Sequence, residues 1–161
     1  MTISLDRSSV SRRLMLKGAG AVALIGLDNL AVPALATVND KYPEDAFKQK
    51  SDADAIKSLY GKTAEASDKV KLDAPEIAEN GAVVPISATT TLDGVTSISF
   101  FVSENPNALA ASYVIPDGTL PSVGNRLKMQ KTSNVIAIVE AGGKLYSATK
   151  EVKVTVGGCG G

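Results

Sequence analysis

The chain contains no histidine, no tryptophan and a single cysteine among its 161 residues. Each absence removes some chemistry. Without imidazole there is no Ser–His or Cys–His nucleophile pair and no zinc site with histidine ligands, so much hydrolytic catalysis is excluded. One cysteine cannot form a disulfide within the chain. Aromatic residues make up only 4%, and basic and acidic residues balance at 17 each. With little to stack on bases and no basic excess, nucleic acid is not an expected partner. Hydrophobic residues reach 44%, an ordinary figure for a chain that packs one core.

The N-terminal region reads as an address. Residues 11–17 are SRRLMLK, with Arg12 and Arg13 paired after Ser11. This resembles a twin-arginine export signal, with Met15 standing where phenylalanine is commoner. The apolar stretch GAGAVALIGL follows; it is too short to span a bilayer comfortably. Asp28 near its end argues further against a retained anchor. AVPALA then places Ala34 and Ala36 at the −3 and −1 positions of a small-residue cleavage site. Residues 1–36 are thus expected to be a signal peptide. The mature chain is expected in the bacterial periplasm, off the membrane. Twin-arginine export usually moves folded proteins, which makes co-export with a folded partner the natural expectation.

The mature chain divides into a domain over 37–156 and a tail over 157–161. Near its start, Ser51 with Asp54 three residues on suggests a helix cap. Ala53, Ile56, Leu59 and Tyr60 recur at helical spacing, and Gly61 can close the helix. Pro43 can open an earlier short turn before Phe47.

From Lys69 onward the period changes to two. VKLD, AVVPISATT, SISFFVS, ASYVI, RLKMQK, NVIAIVEA and KLYSATKEVKVTV read as strands. Val84, Ile86 and Ala88 share one face, and Pro85 marks an edge or bulge. Ile98, Phe100 and Val102 are expected inside, with Ser97, Ser99 and Ser103 outside. NVIAIVEA is apolar enough for a central strand buried on both faces. Val152, Val154 and Val156 are expected to pack together. Asn80-Gly81, Asp93-Gly94, Asn105-Pro106, Asp117-Gly118 and Gly142-Gly143 supply turns, and residues 104–111 and 116–124 are expected to be loops. The pattern predicts a mainly β fold: an immunoglobulin-like antiparallel sandwich of about seven strands with a short N-terminal helical segment.

The tail reads GGCGG. Glycine loses more backbone freedom on ordering than any other residue. The segment is therefore expected to be a flexible arm, with Gly157, Gly158, Gly160 and Gly161 around an exposed Cys159. Three extended residues reach about 10 Å. Bare backbone and one thiol can enter a narrow channel on another protein. No basic residue lies in the tail, and the terminal carboxylate disfavours the thiolate, so activation must come from outside.

VTVGGCGG at the C-terminus, the twin-arginine pattern and a β-rich domain containing NGAVVPISATT together resemble the SoxY family of sulfur carrier subunits. The resemblance covers the signal and the mature chain. It implies a heterodimer with the β-rich SoxZ, and Cys159 as the attachment point on a swinging arm. It also implies transient partners: a c-type cytochrome of SoxXA type that joins thiosulfate to the cysteine as an S-thiosulfonate, a SoxB-type hydrolase that releases sulfate, and a sulfur dehydrogenase for the persulfide that remains. By this reading the chain is a carrier rather than an enzyme and needs no metal or cofactor of its own. Two other readings stand beside it. A secreted structural sandwich module could be cross-linked through Cys159. A thiocarboxylate carrier of ubiquitin-like type could use the Gly161 carboxyl, although that chemistry needs ATP and belongs in the cytoplasm.

Overall fold

The computed structural model describes residues 42–156. Two short helices come first, α1 at Glu44–Phe47 and α2 at Asp52–Tyr60. The Ser51 hydroxyl accepts a hydrogen bond from the Asp54 amide at 3.5 Å, satisfying one of the N–H groups that a helix start leaves unpaired. Gly61 ends α2 at φ 67°, and its N–H reaches the Lys57 carbonyl at 2.8 Å. Start and stop both follow the sequence signals.

Nine strands follow among the described residues: β1 Ala64–Ala66, β2 Val70–Asp73, β3 Ile77–Ala78, β4 Val84–Thr90, β5 Val95–Val102, β6 Leu109–Val114, β7 Ser122–Leu127, β8 Ser133–Ala141 and β9 Lys144–Val154. They form two sheets. The larger has the order β1-β9-β8-β5-β6, with β3 also paired to β9; the smaller is β2-β4-β7. This is the mainly β, immunoglobulin-like sandwich expected. The strand count exceeds seven because β1 and β3 are pieces of three and two residues, too short to alternate visibly. Both run parallel to β9, so the sandwich is antiparallel except along that one strand edge.

Local chemistry explains the register. β8 and β9 are joined by Gly142 and Gly143 alone, at φ 57° and 74°, and Ala141 faces Lys144. Two consecutive positive φ values make a tight hairpin whose twist matches the strands, and glycine adopts them without steric cost. Pro85 lies in β4, the middle strand of its sheet, but β2 stops pairing at Ser87. The proline therefore falls where β4 has lost one neighbour, which spares a ladder bond. Strands also extend further into the expected loops than anticipated: β6 begins at Leu109 and β7 at Ser122. The strand expected over 126–131 ends at Leu127, yet Met129 remains fully buried.

The core has two layers. Between the sheets lie Val84, Ile86, Ile98, Phe100, Val102, Val135, Val139 and Val152, all buried. The other face of the large sheet is covered by the helices. There Phe101, Leu109, Ile138 and Leu145 pack with Ala46 and Ala55, flanked by Phe47, Ile56, Leu59 and Tyr60. This second layer corrects the expected orientation of two serines. Ser97 and Ser99 do point away from the inter-sheet core, but Tyr60 closes over them, and Ser99 is fully buried. The Tyr60 hydroxyl lies 2.7 Å from Ser99 Oγ and 3.1 Å from Ser97 Oγ; Ser99 Oγ donates to Ser112 Oγ at 2.8 Å. Burial pushes the Tyr60 hydroxyl pKa up, partly opposed by hydrogen bonds from Ser97 and Ser99. The serines are tolerated inside because every hydroxyl has a partner.

Candidate functional site

β9 carries the chain out of the sandwich toward its C-terminus. It is the longest strand, 11 residues, with β8 on one side and β1 and β3 on the other. Its last residues are held through their backbone. Lys153 N–H donates to the Glu76 carbonyl at 2.9 Å, and Thr155 N–H to the Ala78 carbonyl at 3.1 Å. On the opposite side Val154 N–H donates to Thr132 Oγ1 at 3.0 Å. Thr155 Oγ1 donates to the Glu79 carbonyl at 3.0 Å. Finally Gly81 N–H donates to the Val156 carbonyl at 2.8 Å.

Segment 76–81 thus grips each residue of 153–156 from one side or the other. That segment is itself fixed. Lys150 Nζ donates to the Ala74 carbonyl at 2.6 Å just before it. Asn80 Oδ1 accepts from Ala82 N–H at 2.8 Å, closing the turn, and the Gly81 carbonyl accepts from Met129 N–H at 2.7 Å. Gly81 therefore joins the end of β9 to the continuation of β7. The root of the tail is fixed to within one residue of the first tail glycine.

The side chains tell a different story. Val156 was expected to pack with Val152 and Val154, but it is 56% exposed, whereas Val152 is fully buried. Beyond Val154 the partner is a turn instead of a strand, so the chain bends and the alternation that would carry Val156 into the core is lost. Ile77 and Val83, which belong to the same gripping region, are also more than half exposed. Three apolar side chains thus surround the point where the tail leaves.

Gly157, Gly158, Cys159, Gly160 and Gly161 lie outside the described residues, as do Arg12, Arg13, Ala34 and Ala36. Among the described residues no group of three His, Cys, Asp or Glu side chains could hold a metal ion, and no helix is long and apolar enough to cross a membrane. Sequence reading marked Asn80-Gly81 only as a turn and missed its grip on the tail root. No side-chain pattern signals a bond between two backbone groups so far apart in sequence.

The family model described as Sulfur oxidation protein SoxY matches residues 56–159, a span that includes Cys159. Among solved structures, that of the sulfur carrier protein SoxY from Chlorobium limicola f thiosulfatophilum is 43% identical. It covers 65% of this chain and 96% of that one, with a TM-score of 0.59. A lytic polysaccharide monooxygenase from Jonesia denitrificans (13% identity, 49% of this chain and 56% of that one, TM-score 0.37) is too distant to inform function. The same holds for an endo-beta-1,4-mannanase from Thermotoga petrophila (12% identity, 63% and 22% covered, TM-score 0.41). Comparison with curated proteins gives no match. The extent of the family match, reaching from helix α2 to the cysteine of the tail, establishes that the chain belongs to the SoxY family of sulfur oxidation proteins.

Proposed function

We propose that this protein is a periplasmic sulfur carrier that holds thiosulfate-derived intermediates covalently on Cys159 and presents them to separate enzymes. The observation that carries the reading is the family match through Cys159, together with a backbone-fixed root ending at Val156. The folded body delivers the arm; the glycines 157, 158, 160 and 161 let the sulfur enter another protein's active site. Arg12 and Arg13 direct export, and processing follows Ala36.

The chemistry balances. Loading joins the Cys159 sulfur to the outer sulfur of thiosulfate, releasing two electrons to a c-type cytochrome of SoxXA type and leaving an S-thiosulfonate. Attack of water on its sulfonate sulfur, on a SoxB-type hydrolase, cleaves the S–S bond to that sulfur. Sulfate leaves and a persulfide stays on Cys159. A sulfur dehydrogenase then oxidises the persulfide sulfur. The covalent link keeps reactive anions from diffusing away, and persulfide sulfur remains open to attack by thiols. SoxZ is the proposed stable partner. Ile77, Val83 and Val156 belong to the surface that an enzyme meets when it takes the arm, because an arm of five residues brings its host close.

Mass spectrometry of protein isolated from cells oxidising thiosulfate tests this. Thiosulfonate or persulfide adducts on Cys159 are expected. Sulfur on the Gly161 carboxyl, or a stoichiometric Cys159 disulfide with no other adduct, would replace the carrier with a thiocarboxylate protein or a cross-linked structural module.

A further inference from the structure

A groove of about 650 Å³ opens between β6 and β7, the edge strands that bound the two sheets on that side. Arg126 and Lys128 stand on one wall, Asn107 and Tyr113 on the other, and no carboxylate lines it. Arg126 is the sole arginine of the described residues, and neither it nor Lys128 forms an ion pair among them. Asn105 fixes the backbone that bears these cations. Its Nδ2 donates to the Lys128 carbonyl at 2.7 Å, and its Oδ1 accepts from Gln130 N–H at 3.1 Å. The wall is therefore held in place even though its cations are exposed.

The groove lies beside the tail root. Gly81 bonds Val156 through its N–H (2.8 Å) and Met129 through its carbonyl (2.7 Å), so one residue separates the last described residue from the strand that presents Lys128. Five residues follow Val156. Fully extended they reach about 16 Å, with Cys159 at about 10 Å.

We propose that this groove is the resting berth of segment 157–161 when Cys159 is loaded: the terminal sulfonate of a thiosulfate-derived adduct pairs with Arg126 and Lys128. The proposal rests on the carrier reading and adds a position for the cargo between enzymes. A guanidinium presents parallel N–H donors that match two oxygens of a tetrahedral anion, while an ammonium adds a point charge. Both cations are exposed, so the pairing is weak and salt-sensitive and a docking enzyme can draw the arm out. The berth also distinguishes cargo states. Once the sulfonate has left as sulfate, the remaining persulfide has no oxygens for the fork, and the arm is released.

The test uses the ¹⁵N-labelled full-length protein and a chemical adduct, so no partner enzyme is involved. (2-Sulfonatoethyl) methanethiosulfonate transfers its sulfonatoethylthio group to the Cys159 thiolate and expels methanesulfinate, leaving a mixed disulfide that ends in a sulfonate. The matching trimethylammonium reagent gives a cationic control. The anionic adduct should shift the amide resonances of Asn107, Arg126 and Lys128; the cationic adduct should leave them in place. Arg126→Gln with Lys128→Gln, both surface changes, should abolish the shifts without altering the spectrum elsewhere. Raised salt should diminish them. No shift at these amides, equal shifts from both adducts, or persistence in the double variant would overturn the berth. Shifts that grow with protein concentration would also overturn it, by showing a second copy in the groove. None of these results touches whether Cys159 carries sulfur in cells, so the berth and the carrier reading fail separately.

Discussion

The two ends of β9 are held by different means. At its start Leu145 is 2% exposed and packs beneath α2, in the cluster that contains Phe101 and Ile138. At its end Val156 is 56% exposed, and the chain is retained by backbone bonds to segment 76–81 and by Thr132. Side-chain burial anchors the first end; main-chain pairing anchors the second. A strand that must pass into a segment almost without side chains cannot rely on burial near its exit. Main-chain hydrogen bonds demand no particular side chain, so they can hold the chain up to the residue where glycine takes over.

Substitutions at the two ends should separate these modes. Leu145→Ala is expected to have the largest effect on stability, about 2–5 kcal/mol, because it removes buried methyl groups and leaves a cavity under α2. Denaturant unfolding measures it; a loss below about 1 kcal/mol would mean the start of β9 is not held by burial. Tyr60→Phe probes the same covered end and should cost about 1 kcal/mol, since Ser97 and Ser99 lose a shared partner.

Tyr60 also makes a pH prediction. Its hydroxyl is raised above the ordinary value of 10.0 by burial. The unfolded chain therefore releases that proton first as pH rises. The stability Tyr60 contributes is full below pH 10.0 and is lost as pH climbs through the higher folded-state value. Wild type should lose stability across that alkaline window more steeply than Tyr60→Phe; equal slopes would contradict the buried position.

The difference between the ends also bears on what could be read in advance. Alternation and glycine turns made most strands legible, because side-chain burial writes a period of two into the residues and the Gly142-Gly143 hairpin needs positive φ. The cap at Ser51 and the stop at Gly61 were legible for the same local reason. Burial of Ser97 and Ser99 was not. A serine looks the same in sequence whether it meets water or a tyrosine from a distant helix. The exposed Val156 was misread because alternation continues in the letters after the strand has ended in space. The tail cysteine was legible through composition and position, but the grip of 76–81 on its root was not, since carbonyls and amides are common to every residue.

Two smaller effects sharpen the comparison at the exit. Thr132→Val deletes the acceptor for Val154 N–H and should cost only about 0.5 kcal/mol, because the bond is exposed and water can replace it. Its signature is faster hydrogen exchange at Val154 with Leu145 unchanged; acceleration at both would mean the ends are not independent. Val156→Ser should change stability by less than about 0.5 kcal/mol, as an exposed side chain contributes little. A larger loss would show that the exit depends on side-chain packing after all.

The central claim is that one sulfur atom beyond this backbone-held exit does the work. Its most direct test is Cys159→Ser in a reconstituted thiosulfate-oxidising mixture containing SoxZ and the partner enzymes. The account predicts a folded protein that supports no thiosulfate-dependent turnover. Turnover retained at the wild-type rate would contradict it.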